Sequence, residues 1–225
     1  MAWLDEETNR RETRRHPGNA NAQFRKRVRG AVSQLRNGDG VLADLIDRYG
    51  PCTLRPSEPY FPVMVETVIS QQLSTKAARA IYGRLLDIVG AKVPRPTDIL
   101  SIPDDRLRAI GFSSSKTRYV KSVAAAFRSG RMGAQRFARM SDGEIVSLLT
   151  SIKGIGEWSA HMFLIFALGR LDVFPVGDLG LRNAMAGAYR LRRPPSPDRL
   201  HRIGDRWRPY RTIGTWYLWE SYDKG

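Results

Sequence analysis

A single cysteine, Cys52, occurs in 225 residues. One thiol excludes an internal disulfide and any cluster held by four cysteines, and it suits a reducing compartment. Histidine is scarce too: His16, His161 and His201 lie scattered without ligand-like spacing, which argues against zinc. No apolar run approaches the ~18 residues of a membrane span. The N-terminus is acidic and then arginine-rich, without the apolar stretch of a secretory signal. The expectation is a cytoplasmic, nucleoid-associated protein with no membrane partner and no cofactor.

Acid is the other shortage. Asp and Glu number 22 against 37 Lys and Arg, a formal charge of +15. The excess is spread along the chain, so the expected partner is a polyanion, whose neutralised phosphates release condensed counterions. A membrane surface or a ribosome is the alternative reading of the same charge. Alternating apolar and polar runs are missing as well. With 42% hydrophobic residues for the interior, the fold expected is all-α, as one large domain or two small lobes sharing a core.

Residues 1–18 lack an apolar face and end in Pro-Gly, so they read as a basic, poorly ordered tail ahead of a domain over 19–225. Val41, Leu42, Leu45 and Ile46 form one amphipathic stripe. Val65, Val68, Ile69, Leu73, Ala77, Ala80, Ile81 and Leu85 form a longer one. Pro103-Asp104-Asp105 opens a short helix through Leu107 and Ile110 that Gly111 ends. A loop of Phe112, Ser113, Ser114 and Ser115 then precedes a helix around Tyr119 to Phe127. Ser141 to Glu144 has capping-box spacing, and Pro194 to Pro197 reads as a linker. The aromatic run from Trp207 to Tyr222 reads either as core or as binding surface.

Leu149 to Ala160 is the most informative segment. A helix ends near Ser151, a Gly154-Ile155-Gly156 turn follows, and a second helix begins near Glu157. Two glycines permit backbone conformations closed to other residues and let a ligand approach closely. Ile155 anchors the turn while amides near Gly156 point outward, where free amides at a helix N-terminus suit a phosphate. The plain alternative is a tight connection between helices. Asp178, just beyond Pro175 and Gly177, opens a helix through Leu181, Met185 and Tyr189. It reads as an N-cap, as a working carboxylate, or as both.

The run Ile152 to Ala160 followed by Asp172-Val173-Phe174-Pro175-Val176-Gly177-Asp178 resembles the hairpin and catalytic-aspartate loop of the helix-hairpin-helix DNA glycosylase superfamily. Ile69 to Ala78 and Trp207 to Trp219 are similar to that family's first and final conserved helices. The nearest likeness, over about Tyr60 to Trp219, is to the 3-methyladenine DNA glycosylase II type. The resemblance implies two helical lobes flanking a DNA-binding cleft, and a monomer that flips alkylated bases from damaged double-stranded DNA and hydrolyses their glycosidic bonds. Glycosylases for oxidised or deaminated bases, and a noncatalytic DNA-binding module, are the rival readings. The family's N-terminal β-domain is not expected, because too few residues precede Tyr60.

Asp178 takes the catalytic place in this resemblance, aimed into the groove beside the hairpin, and Asp172 a structural one. Bifunctional relatives carry a lysine two residues after the second hairpin glycine; here Trp158 stands there, which implies no lyase chemistry. Trp158 and Trp219 match aromatic pocket positions, with Tyr60 and Phe61 as further walls, though Phe61 also reads as core. Met162 replaces a common tyrosine. The serine loop takes the place of the apolar wedge, and Phe112 is either the intercalating group or a buried anchor. One of Gln71 and Gln72 is expected to touch DNA, and Lys153 and Lys116 to meet phosphate or solvent. Carbonyls of Thr150, Ile152 and Ile155 are implied as holders of a structural monovalent cation.

Overall fold

The computed structural model describes residues 18–224, so the expected tail lies outside the described residues apart from Gly18. Among the described residues every regular element is helical, as the absence of alternating patterns predicts. No described helix is long and apolar enough to cross a membrane. The chain forms two compact units, Ser57–Ala167 and the unit made by residues up to Pro56 and from Leu168 onward.

In the discontinuous unit, α1 (Gly18–Gly38) and α2 (Gly40–Tyr49) precede the break. α11 (Leu179–Ala188), α12 (Pro197–Gly204), a 3-10 turn (Asp205–Trp207) and α13 (Arg211–Lys224) follow it. α13 is the core element: Thr212 through Glu220 are all buried, and α11, α2 and α1 pack around it. The aromatic run is therefore mostly core, with Trp207, Trp216 and Tyr217 all buried. Asp39 holds this unit's polar interior. Its Oδ1 caps α2 by accepting the Val41 and Leu42 amides, and its Oδ2 accepts the Tyr189 hydroxyl at 2.7 Å and the Trp207 indole at 3.2 Å. The supposed linker is shorter than expected, because Ser196 caps α12 and Pro197 is its first residue.

The continuous unit is built on α3 (Tyr60–Ser70), whose residues from Phe61 to Ile69 are all buried. Around it lie α4 (Thr75–Val89), α5 (Pro96–Ser101), α6 (Asp104–Ala109), α7 (Ser114–Arg128), α8 (Ala134–Phe137), α9 (Asp142–Thr150) and α10 (Glu157–Phe166). The Ser141–Glu144 capping box forms as expected. The long apolar stripe, however, is two helices. Ser74 accepts the Ala77 amide and starts α4 afresh, Gln72 takes φ 58° in the break, and Leu73 is left 39% exposed. The serine loop is also shorter than expected. Ser113 caps α7 through the Lys116 amide, so Ser114 and Ser115 belong to the helix. The two ends of this unit meet where the Ser57 amide donates to the Phe166 carbonyl at 2.9 Å.

Candidate active site

The hairpin forms where expected, between Thr150 at the end of α9 and Glu157 at the start of α10. The Ile155 amide closes it on the Ile152 carbonyl at 3.0 Å, and Ile155 is 4% exposed, the anchor the sequence suggests. The two glycines serve different ends. Gly154 has φ +90°, and a Cβ there would lie 2.0 Å from the Tyr119 ring, so no other residue fits. Gly156 has φ −94° and ψ 176°, extended backbone open to any residue, and nothing lies within 4 Å of a Cβ built on it. The fold demands the first glycine and leaves the second as open space. Lys153 is exposed beside them.

Two residues expected to meet DNA are engaged inside the protein. Gln71 Nε2 donates to the Gly154 carbonyl at 2.9 Å and to Ser159 Oγ at 3.1 Å, bracing the turn from 83 residues away. Lys116 Nζ donates to the Ile69 carbonyl, near the end of α3, and partial burial pulls its pKa below the ordinary lysine value. Phe112 is buried, the placement that its reading as an anchor expects. Gln72 remains exposed, in a backbone conformation that non-glycine residues adopt at a cost.

Asp178 is the N-cap of α11 as predicted. Its Oδ1 accepts two donors, the Leu181 amide at 2.6 Å and the Trp219 indole at 2.9 Å. The loop leading to it is held just as firmly. Arg211 forks onto Asp172, Nε to Oδ1 at 2.9 Å and a terminal nitrogen to Oδ2 at 3.1 Å. Thr212 Oγ accepts the Val173 amide at 2.9 Å. Asp172 is thus structural, as the resemblance implies. Gly180 leaves room for the carboxylate, since a Cβ there would sit 3.2 Å from Oδ1. The carboxylate is less open than expected. Asp178 is only 7% exposed, because the cap and the Trp219 ring wrap it.

The expected aromatic pocket is only partly supported. Trp158, on the first turn of α10, is half-buried. Trp219 is 5% exposed with its N–H committed to Asp178, so it positions the carboxylate. Met162 is buried, as are Phe163 to Phe166 after it. Phe61 is core, edge-on to Phe127. Tyr60 packs edge-on against Phe137 and Phe163 and donates its hydroxyl to Glu58. Gly180, Thr212 and the Gln71–Ser159 brace were not anticipated. The partners of Thr212 and Gln71 lie 39 or more residues away in sequence, so local pattern carries no trace of them.

A hairpin braced by a distant glutamine, and a capping aspartate whose loop is clamped by an arginine fork, are held in an all-helical fold. Residues 65–209 match the model of the HhH-GPD superfamily base excision DNA repair proteins, and the chain belongs to that family. It is 38% identical over 183 residues to DNA-3-methyladenine glycosylase 1 of Schizosaccharomyces pombe, covering 80% of each chain. Among solved structures, the S. pombe 3-methyladenine DNA glycosylase Mag1 in complex with abasic DNA superposes with a TM-score of 0.77 at 35% identity, covering 85% of this chain and 95% of that one. A DNA-3-methyladenine glycosidase from Bacillus halodurans gives 0.71 at 35% identity, covering 85% and 88%.

Proposed function

We propose that this chain is a monofunctional DNA glycosylase that releases alkylated bases of the 3-methyladenine kind from duplex DNA. The observation that carries the reading is Asp178, a carboxylate fixed at the head of α11 by the Leu181 amide and the Trp219 indole. Breaking the C1′–N bond develops oxocarbenium character on the deoxyribose, which a fixed anion stabilises. The same carboxylate orients the water that adds to C1′ and accepts its proton. The base leaves with the bonding electrons, and an alkylated purine that already carries positive charge needs no separate acid.

Trp158 stands where lyase relatives carry a lysine, so no Schiff base forms from that position and the product is an intact abasic site. The half-buried indole offers a π face to a cationic base, worth roughly 0.5–2 kcal/mol. The hairpin takes a backbone phosphate, with Gly156 admitting close approach and Lys153 adding charge. The exposed pair Gln72-Leu73, on the strained turn between α3 and α4, is the better candidate for filling the gap left by a flipped base. A monovalent cation on the carbonyls of Thr150, Ile152 and Ile155 would steady the hairpin; Ile152 already accepts one amide there and keeps a second lone pair. The enzyme acts as a monomer.

The test is a panel of duplexes, each with one modified base, assayed for alkali-labile breaks. Asp178→Asn keeps the cap, because asparagine caps as well as aspartate. It should lose base release by at least a hundredfold while still binding an abasic-site duplex. Wild-type release by that variant would remove Asp178 from the chemistry.

A further inference from the structure

Arg182 lies one helical turn beyond Asp178, and its amide donates to the Asp178 carbonyl at 3.1 Å in the first turn of α11. The i,i+4 relation puts both side chains on one face of the helix, about 6 Å apart along its axis. Arg182 is half-buried. Its Nε is out of contact with solvent and has no hydrogen-bond partner, and among the described residues the side chain makes no ion pair.

The other arginines near this loop are matched. Arg211 forks onto Asp172, Arg208 reaches Asp172 and Asp205, and Arg206 reaches Asp39. A guanidinium cannot shed its proton to escape burial as a lysine can. An unanswered donor on a permanently charged group is a cost to the folded protein. An acceptor arriving with a ligand at the guanidinium would offset that cost.

We infer that Arg182 is a phosphate-binding residue, taking a backbone phosphate of the DNA strand whose deoxyribose lies against Asp178. A phosphodiester presents two unesterified oxygens, the acceptor geometry that a guanidinium fork matches. A span of about 6 Å along α11 suits a phosphate adjacent to the sugar under attack. The inference rests on the proposed reaction for the position of that sugar, but the phosphate contact is measurable without any turnover. Arg182 would thus be a second grip on the strand, on the same helix as the carboxylate.

Arg182→Met keeps the apolar stem and removes the fork and the charge. Binding to a duplex carrying an uncleavable abasic analogue is measured between 50 and 200 mM salt. The slope of log K against log salt should become shallower by about one, and affinity at low salt should fall about tenfold. The melting temperature should hold or rise, since no internal partner is lost. Arg182→Lys should restore the salt slope without restoring full affinity, which covers the case of a Met variant that folds poorly. An unchanged slope in both variants overturns the inference and leaves the side chain as apolar packing. If wild-type protein releases no base from any duplex while the slope still changes with Arg182, the enzymatic reading fails and the phosphate contact stands.

Discussion

Trp219 makes a contact that its place in the sequence does not announce. An aromatic residue near the end of a family-like helix reads as a base-stacking wall, yet its indole N–H is given to Asp178 Oδ1. A hydrogen bond to a charged acceptor is worth about 1.5–3 kcal/mol. Trp219→Phe, which keeps the ring's bulk, should therefore slow single-turnover base release by about ten- to a hundredfold. Its Kd for an abasic duplex should stay close to wild type. A Kd change with an unchanged rate would return Trp219 to the role of a wall. Glu66 is a second case, invisible in sequence because it sits mid-helix in α3 among residues that are all apolar or Thr67. Burial pushes its pKa from 4.5 up to about 8, with a hydrogen bond to Tyr82 opposing the shift. The unfolded chain sheds this proton near pH 4.5 and the folded one keeps it to about 8. Stability should therefore decline as pH rises across that window, by about 5 kcal/mol in all. Glu66→Gln should match wild type in melting temperature at pH 4 and exceed it at pH 8. Parallel melting curves across that range would show that the carboxyl ionises freely.

Among the elements, the hairpin separates what the fold needs from what a ligand needs. Gly154→Ala must place a methyl group into the Tyr119 ring at φ +90°, so it should cost more than about 2 kcal/mol in chemical unfolding. Gly156→Ala meets nothing, and as an N-cap change it should cost about 1 kcal/mol or less. The second variant should nevertheless lose DNA affinity. If it binds duplex as wild type does, no phosphate approaches Gly156. Element-level features were the most legible in the sequence, because their signals are local. The Ser141 capping box, the Asp178 cap and the buried Ile155 each depend on a few neighbouring residues. Where the local signal was ambiguous, the reading slipped. Three consecutive serines all suit a cap, and only packing selected Ser113; an apolar period ran straight through the break at Gln71–Ser74. The internal hydrogen bonds of Gln71 and Lys116 escape a local reading for a different reason. Their acceptors, Gly154 and Ile69, are 83 and 47 residues away.

Across the whole molecule, the charge of +15 and the helical periodicity were enough to anticipate a DNA partner and an all-α class. The division into two units was legible only in outline. What the sequence could not locate is the point where the chain leaves one unit and returns, a tie between the Ser57 amide and the Phe166 carbonyl. That tie has a historical consequence. The hairpin belongs to the segment between the two tied residues and Asp178 to the chain outside it. A segment whose two ends touch can be replaced by recombination with a single scar in the surrounding chain. The segment that carries the hairpin can thus be exchanged without breaking the loop that holds Asp178.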